Sequence, residues 1–356
     1  MYYCWAPQTA WKHEQQVNPE FSEACGSSFP TTIIAAGKPL SQNSPGSTPD
    51  AEACDNPLVM PETSPDIRST RWPAMLLRLL ARLPLPVLYL IADTIFVPAF
   101  YLLHFQRKLV ENNLRSVFPE YSPAAIRRLA ASSYRNTVHM LFESIKGGAI
   151  TAAELARRVE IENPELINTL LQEHRTVITV AAHHGNWEWM QLACSSRLTV
   201  PLAALYKSLN HPGIDIPLQK SRSRFGSLLI EAKSALPELA KFARQPGVIA
   251  LVADQGPRPD EEKYWASFLG RDTAFYPGPE KLARLLKAPL VFVHMQRLKR
   301  GYYRIRFELL TEPPYLQDHG ALMDSYIKAV EKQVLKAPQD WVWMYKRWKY
   351  QRSMYE

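Results

Sequence analysis

From residue 109 onward the chain alternates two kinds of segment, and that alternation constrains its fold more than any other feature. TVITVAA (176–182), LTVPLAALY (198–206), VIALVAD (248–254), APLVFVHMQ (288–296) and YYRIRFELL (302–310) are short aliphatic or β-branched runs. Their length and continuity are those of strands covered on both faces. Between them lie segments of helical pattern: 185–196, the stretch around Asp215–Phe225, 235–245 and 279–287. A longer helix is predicted over 119–147, with Ser122 as N-cap and Pro123 at the first helical position, and a further amphipathic one over 321–336. Strands alternating with helices predict an α/β fold, with a mostly parallel central sheet flanked by helices.

The chain divides into three parts. Residues 1–66 are rich in Pro, Ser, Ala and Glu and lack apolar periodicity, which reads as a disordered N-terminal extension. Residues 67–108 form a membrane anchor or interfacial helix region. From Leu83 to Phe105 almost every residue is apolar, roughly the 20 residues needed to cross a hydrocarbon core. Asp93 lies near the middle of this run, and a carboxylate there would cost about 2.5–3.5 kcal/mol on insertion scales. Pro84, Pro86 and Pro98 interrupt the run, and basic residues flank it on both sides. A spanning helix and a deep interfacial helix both fit. Trp72, Tyr89 and Tyr101 suit interfacial anchoring. Residues 109–350 form the third part, the α/β domain.

The formal charge of +8 suits an anionic partner, whether lipid head groups, a phosphorylated substrate or nucleic acid. No recognition helix, zinc finger or RNA-binding motif accompanies it. Cys4, Cys25, Cys54 and Cys194 form no Cys-x-x-Cys pair and read as free thiols.

The sharpest local feature is AAHHGNWEWM (181–190), where a buried strand ends in two histidines and a glycine and a helix begins with a carboxylate in its first turn. Chemistry in α/β sheets gathers beyond the carboxyl ends of strands. On one continuous helix His183 and Glu188 would lie about 140° apart, so they meet only if His183 occupies the loop. Glu188 would then accept a hydrogen bond from one ring nitrogen and leave the other as a general base. Backbone N–H groups at the helix start could bind an oxyanion. His184 is the rival base. No Gly-x-Ser-x-Gly elbow appears, which favours direct attack by an activated acceptor hydroxyl over an acyl-serine route.

HHGNWE resembles the His-x4-Glu/Asp signature of the lysophospholipid acyltransferase-like superfamily, in the wording of its lipid A acyltransferase branch, the lauroyl and myristoyl transferases. Further blocks resemble that branch in order: ENNLRSVFPE (111–120), LYKSLNHPGID (205–215), RSRFG (222–226), VADQGP (252–257), FLGRDTAFYPGPEKLAR (268–284) and PQDWVWMYKRWK (338–349). The resemblance implies an acyltransferase that moves a fatty acyl chain from acyl carrier protein to a hydroxyl of a lipid A precursor in lipopolysaccharide biosynthesis. It implies a catalytic domain on the cytoplasmic side of a bacterial inner membrane, with no cofactor, metal or nucleic acid. His183 would be the base and Glu188 its orienting carboxylate. Arg224 would lie near an acceptor phosphate or form part of the site's architecture. Asp254 and Gln255 would shape the site, or form a turn with its cap, and Lys207 would touch the head group. The tryptophans and basic residues of 341–349 would form an interfacial belt or a core element. His184, Phe275 and Pro277 depart from the branch's usual residues, which leaves open a different lipid acceptor, such as an aminolipid, an aryl-polyene lipid or a lysophospholipid.

Overall fold

The computed structural model describes residues 67–315 and 319–352, and the extension 1–66 lies outside them. The elements in chain order are α1 (Ile67–Arg82), α2 (Leu85–Val97), α3 (Arg107–Val117), α4 (Pro123–Gly147), α5 (Ala152–Arg158), β1 (Val159–Ile161), α6 (Glu165–Glu173), β2 (Thr176–Ala181), α7 (Trp187–Arg197), β3 (Leu202–Tyr206), α8 (Pro212–Arg222), β4 (Leu228–Glu231), α9 (Ala235–Phe242), β5 (Gly247–Val252), β6 (Tyr264–Phe268), β7 (Arg271–Phe275), α10 (Gly278–Leu286), β8 (Leu290–Lys299), β9 (Tyr302–Thr311) and α11 (Ala321–Lys336).

Among the described residues seven strands form one sheet in the order β1-β9-β8-β2-β5-β3-β4. Every pairing is parallel except β8 with β9. The α/β architecture with a mostly parallel, helix-flanked sheet is therefore the one the alternation predicts. β2 is buried along its whole length, because it sits between β5 and β8 with helices on both faces. The carboxyl ends of β2 and β5 are adjacent, yet their connections leave in opposite directions, β2 to β3 and β5 towards β8. Such a divergence opens a crevice at the strand ends.

Local chemistry sets the boundaries. Ser122 caps α4 by accepting from the N–H of Ala125 at 3.2 Å, with Pro123 at the first helical position. The run 198–206 becomes strand only at Leu202, because Leu198 is still the C-cap of α7. The hairpin β6–β7, which apolar periodicity alone does not reveal, turns at Leu269 and Gly270, both at positive φ.

The apolar N-terminal region is broken into pieces. α1 and α2 meet at Leu83–Pro84, and a π-helical turn follows at Pro98–Leu102. Leu85–Leu102 is long and apolar enough to cross a membrane, and about a third of it (33%) is buried. Its inner face packs on α4; Leu88, Ala92 and Phe100 are fully enclosed, while Val87, Leu90, Ile95 and Leu102 are exposed. Asp93 does not stand alone among apolar neighbours. Arg135 of α4 donates to both its oxygens at 2.8 and 2.9 Å, and His139 lies at 2.7 Å. Tyr89, expected at an interface, is buried, whereas Trp72 and Tyr101 are exposed.

Leu88→Ala empties a sealed site between α2 and α4 and is expected to destabilise the fold by about 2–5 kcal/mol. Leu90→Ala on the opposite, exposed face is expected to change stability by less than about 0.5 kcal/mol. Thermal denaturation of the detergent-solubilised protein measures both.

Candidate active site

The register of β2 against β5 builds the site. Ala181 pairs with Val252, so His183 and Asp254 each lie two residues beyond the last paired rung of adjacent parallel strands. Their side chains meet there. His183 Nδ1 lies 2.5 Å from Asp254 Oδ1, and the His183 backbone N–H donates to Asp254 Oδ2 at 3.1 Å. Trp341 Nε1 donates to the same Oδ2 at 2.8 Å. Burial would raise the pKa of Asp254, but the facing His183 and these three hydrogen bonds outweigh it and hold it down at about 2. An ionised Asp254 fixes the proton on Nδ1 and leaves Nε2 as the basic nitrogen. His183 remains partly accessible, with its side chain 15% exposed. Its ring sits edge-on to Trp187 with centroids 4.9 Å apart. Gln255 Nε2 is 3.4 Å from Nε2 of His183.

The hydrogen bond expected from Glu188 to His183 is thus made by Asp254. Glu188 lies in the first turn of α7, buried, and both its oxygens are taken by Arg222 of α8, at 2.9 Å from Nε and 2.5 Å from Nη2. Burial would raise its pKa; the Arg222 guanidinium, with a smaller contribution from His183, brings it below the ordinary value. Glu188 is therefore a fixed negative charge near the imidazole, without a direct bond to it. Within RSRFG, Arg222 is the arginine that reaches inward. Arg224 is exposed, donates to the Gly148 carbonyl at 2.5 Å and lies over the Phe225 ring. Lys207 is exposed just beyond β3. Arg222 is the last residue of α8, whereas Arg224 lies beyond its C-cap Ser223.

His184 is a packed histidine. It is buried, and its two ring nitrogens face the carbonyls of Met295 at 3.1 Å and Ala337 at 3.0 Å. Burial pushes its pKa down. The strand-to-helix turn depends on Gly185, at φ +62°, where a Cβ would meet Met295 Cγ at 2.9 Å. Asn186 then caps α7, its Oδ1 accepting from Trp189 N–H at 2.9 Å.

A C-terminal strap closes the back of this turn. Gly185 N–H donates to the Asp340 carbonyl at 2.8 Å, Val342 N–H donates to the His183 carbonyl at 3.2 Å, and His184 bridges Trp341 in antiparallel fashion. Trp341 and Trp343 are 3% and 1% exposed, so this tryptophan block is core rather than an interfacial belt. Phe275 is also buried, with the Arg347 guanidinium 4.1 Å above its ring, and Pro277 opens α10. The departure at Phe275 is thus a packing feature. Cys194 is a buried free thiol whose pKa burial pushes up to about 12. Among the described residues no group of three or more His, Cys, Asp or Glu side chains converges on a possible metal position.

A His–Asp pair lies at the carboxyl ends of two adjacent parallel strands, with a carboxylate in the next helical turn, an arrangement suited to acid–base chemistry. The model of the bacterial lipid A biosynthesis acyltransferase family matches residues 64–350. The lipid A biosynthesis lauroyltransferase of Escherichia coli (strain K12) is 25% identical over 276 residues, covering 76% of this chain and 88% of that protein. The chain belongs to the bacterial lipid A biosynthesis acyltransferases, and it is an acyltransferase of lipid A synthesis.

Three outcomes are expected. Gly185→Ala forces a non-glycine residue into left-handed backbone at a cost of about 1–2 kcal/mol, with the Met295 clash added, and lowers both thermal stability and activity. Trp341→Phe removes one of the three donors that fix Asp254 and lowers turnover by about 10-fold, the low end of what a hydrogen bond to an ionised group is worth. Asp254, with a depressed folded pKa, stabilises the fold above its unfolded pKa of about 3.9, and that contribution is lost as pH falls towards 2. Asp254→Asn should therefore flatten the loss of stability between pH about 4 and 2, as read by denaturation at stepped pH.

Proposed function

We propose that this acyltransferase moves a fatty acyl chain from an acyl carrier protein thioester to a hydroxyl of a lipid A precursor, with His183 as general base. The observation that carries this reading is the 2.5 Å contact between His183 Nδ1 and the buried, ionised Asp254. In this reading the Nδ1 proton points to Asp254 and Nε2, beside Gln255, is the nitrogen left to act as base.

In this reading Nε2 takes the acceptor hydroxyl proton as the oxygen attacks the thioester carbonyl. The imidazolium that results is stabilised by Asp254 directly and by Glu188 at longer range. The N–H groups of Trp187 and Glu188, at the positive end of the helix dipole, receive the developing oxyanion in this reading, the Trp189 N–H being held by the Asn186 cap. Collapse of the tetrahedral intermediate breaks the C–S bond, and the imidazolium returns its proton to the departing thiolate. The products are an O-acyl ester and the free carrier thiol. Glu188 also anchors Arg222, whose guanidinium, more than the outward-facing Arg224, suits a nearby phosphate of the acceptor. Lys207 and Gln255 serve the rim, as head-group contact and as neighbour of Nε2. No cofactor is needed, since thioester and hydroxyl supply all the reacting atoms.

The exposed apolar face of Leu85–Leu102 is the membrane contact in this reading, in the bacterial inner membrane, with the catalytic domain on the cytoplasmic side where acyl carrier protein is found. Arg135 and His139 of α4 partner Asp93, which lowers the cost of holding that carboxylate near lipid.

The test is transfer from labelled acyl carrier protein thioesters to a tetra-acylated, Kdo-bearing lipid A precursor, read by mass spectrometry. His183→Ala is expected to lower turnover by about 10²–10⁴-fold. Asp254→Asn, which admits the wrong tautomer, should cost about as much. Glu188→Gln should cost less than either. Full activity in His183→Ala overturns the base assignment, and transfer only to another lipid overturns the acceptor.

A further inference from the structure

The residues that hold the catalytic turn from behind converge on one carboxylate that none of the sequence motifs contains. Glu143, on the inner face of α4, is 0% exposed. Three donors surround it: Tyr89 Oη of α2 donates to Oε1 at 2.7 Å, and Tyr303 Oη of β9 and Asn186 Nδ2 donate to Oε2 at 2.6 and 2.8 Å. Its backbone carbonyl accepts from Trp189 Nε1 at 2.8 Å. Glu143 thus touches both ends of the turn into α7, the cap residue and the third residue of the helix.

The contact with Asn186 has a direction. Burial pushes the Glu143 pKa up, yet Tyr303 Oη and Asn186 Nδ2 both donate to its Oε2, so that oxygen accepts and selects the amide orientation that presents Nδ2 to Glu143 and Oδ1 to Trp189 N–H. Rotating the amide would place two oxygens against each other in a site without water access and leave the α7 cap unfilled. Gly185 sits immediately before Asn186 and is bonded to the Asp340 carbonyl. His183 is therefore held on one side by the strap and Asp254, and on the other by whatever fixes Asn186.

We propose that Glu143 is a positioning residue for acyl transfer, which sets the catalytic turn through Asn186 and ties it to the seating of α2 through Tyr89. The link to α2 is tight. Tyr89 Oη also fills the space beside Gly301 in the β8–β9 turn, where any Cβ would collide with it, and Arg300 lies over its ring at 4.6 Å. A shift of the apolar helix would pull this hydroxyl from Glu143. The proposal rests on the reading of His183 as the base, because a turn that carries no chemistry would need no positioning.

The test exchanges the two ends of the hydrogen bond. Asn186→Asp keeps a good helix cap but sets two carboxylates against each other, and kcat should fall by at least about 30-fold, with KM for the acyl donor unchanged, as one buried polar conflict costs a few kcal/mol. Adding Glu143→Gln reverses the polarity of the bond and restores a donor–acceptor pair at the same net charge. The double variant should regain kcat to within about 5-fold of wild type, the coupling expected of residues in direct contact. Tyr89→Phe leaves both carboxylate and amide intact and should lower kcat by about 3–5-fold, the worth of a modest hydrogen bond. Thermal melts of each variant in detergent separate folding from turnover. A double variant as inactive as Asn186→Asp, or losses that track the unfolded fraction alone, overturns the positioning role. His183→Ala in the same assay reports on the base separately: full activity there removes the reading on which the proposal stands, whatever the exchange pair does.

Discussion

The structure depends on the parallel pairing of β2 with β5. Six successive rungs, Thr176–Gly247 to Ala181–Val252, lock the fully buried β2 beside β5, which is buried over its first three residues. Because parallel strands end at the same edge of the sheet, the residues that follow them must meet there. His183 and Asp254 are 71 positions apart in the chain and 2.5 Å apart in space for that reason alone. A slip of one rung would turn every side chain of β2 to the other face and remove the carboxylate from the imidazole.

Around that pair the protein uses buried polar groups as fixtures. Asp254 is held by three donors, Glu188 by both arms of Arg222 and Glu143 by two tyrosines and an asparagine. Each carboxylate is enclosed and would be costly without partners. Satisfied, each rigidifies a segment that the sheet alone does not control: the loop after β5, the first turn of α7 and the junction of α4 with α2. The C-terminal strap contributes backbone bonds to the same turn. The site is thus assembled from separate stretches of chain, and its precision comes from their mutual hydrogen bonds rather than from any one motif.

The N-terminal region shows how a membrane-facing segment joins such a domain. Its apolar residues divide into an inner set sealed against α4 and an outer set left exposed, and its acidic residue points to the arginine and histidine of α4. Hydropathy registers only the sum of the two sets. This is why the run reads as one uniformly apolar segment, although it folds as α2 and a π-helical turn with one face sealed and the other exposed.

The sequence by itself determined the α/β class, the order of the larger elements, the cap at Ser122 and the placement of His183 in a loop after a buried strand. All of these follow from local periodicity, cap chemistry and the conformational preferences of Pro and Gly, which act over a few residues. The short strands β1, β4, β6 and β7 were not legible, because three to five residues carry too little pattern to stand out from loops. The partner of His183 was decided only by the tertiary structure. Glu188 is near in sequence and a loop at His183 would permit the contact, but Arg222 takes both its oxygens, and the sheet register brings Asp254 closer. The choice of Arg222 over Arg224, the burial of the C-terminal tryptophans and the convergence on Glu143 have the same origin. Each is settled by which side chains are forced together once water is excluded, and that depends on residues distant in the chain.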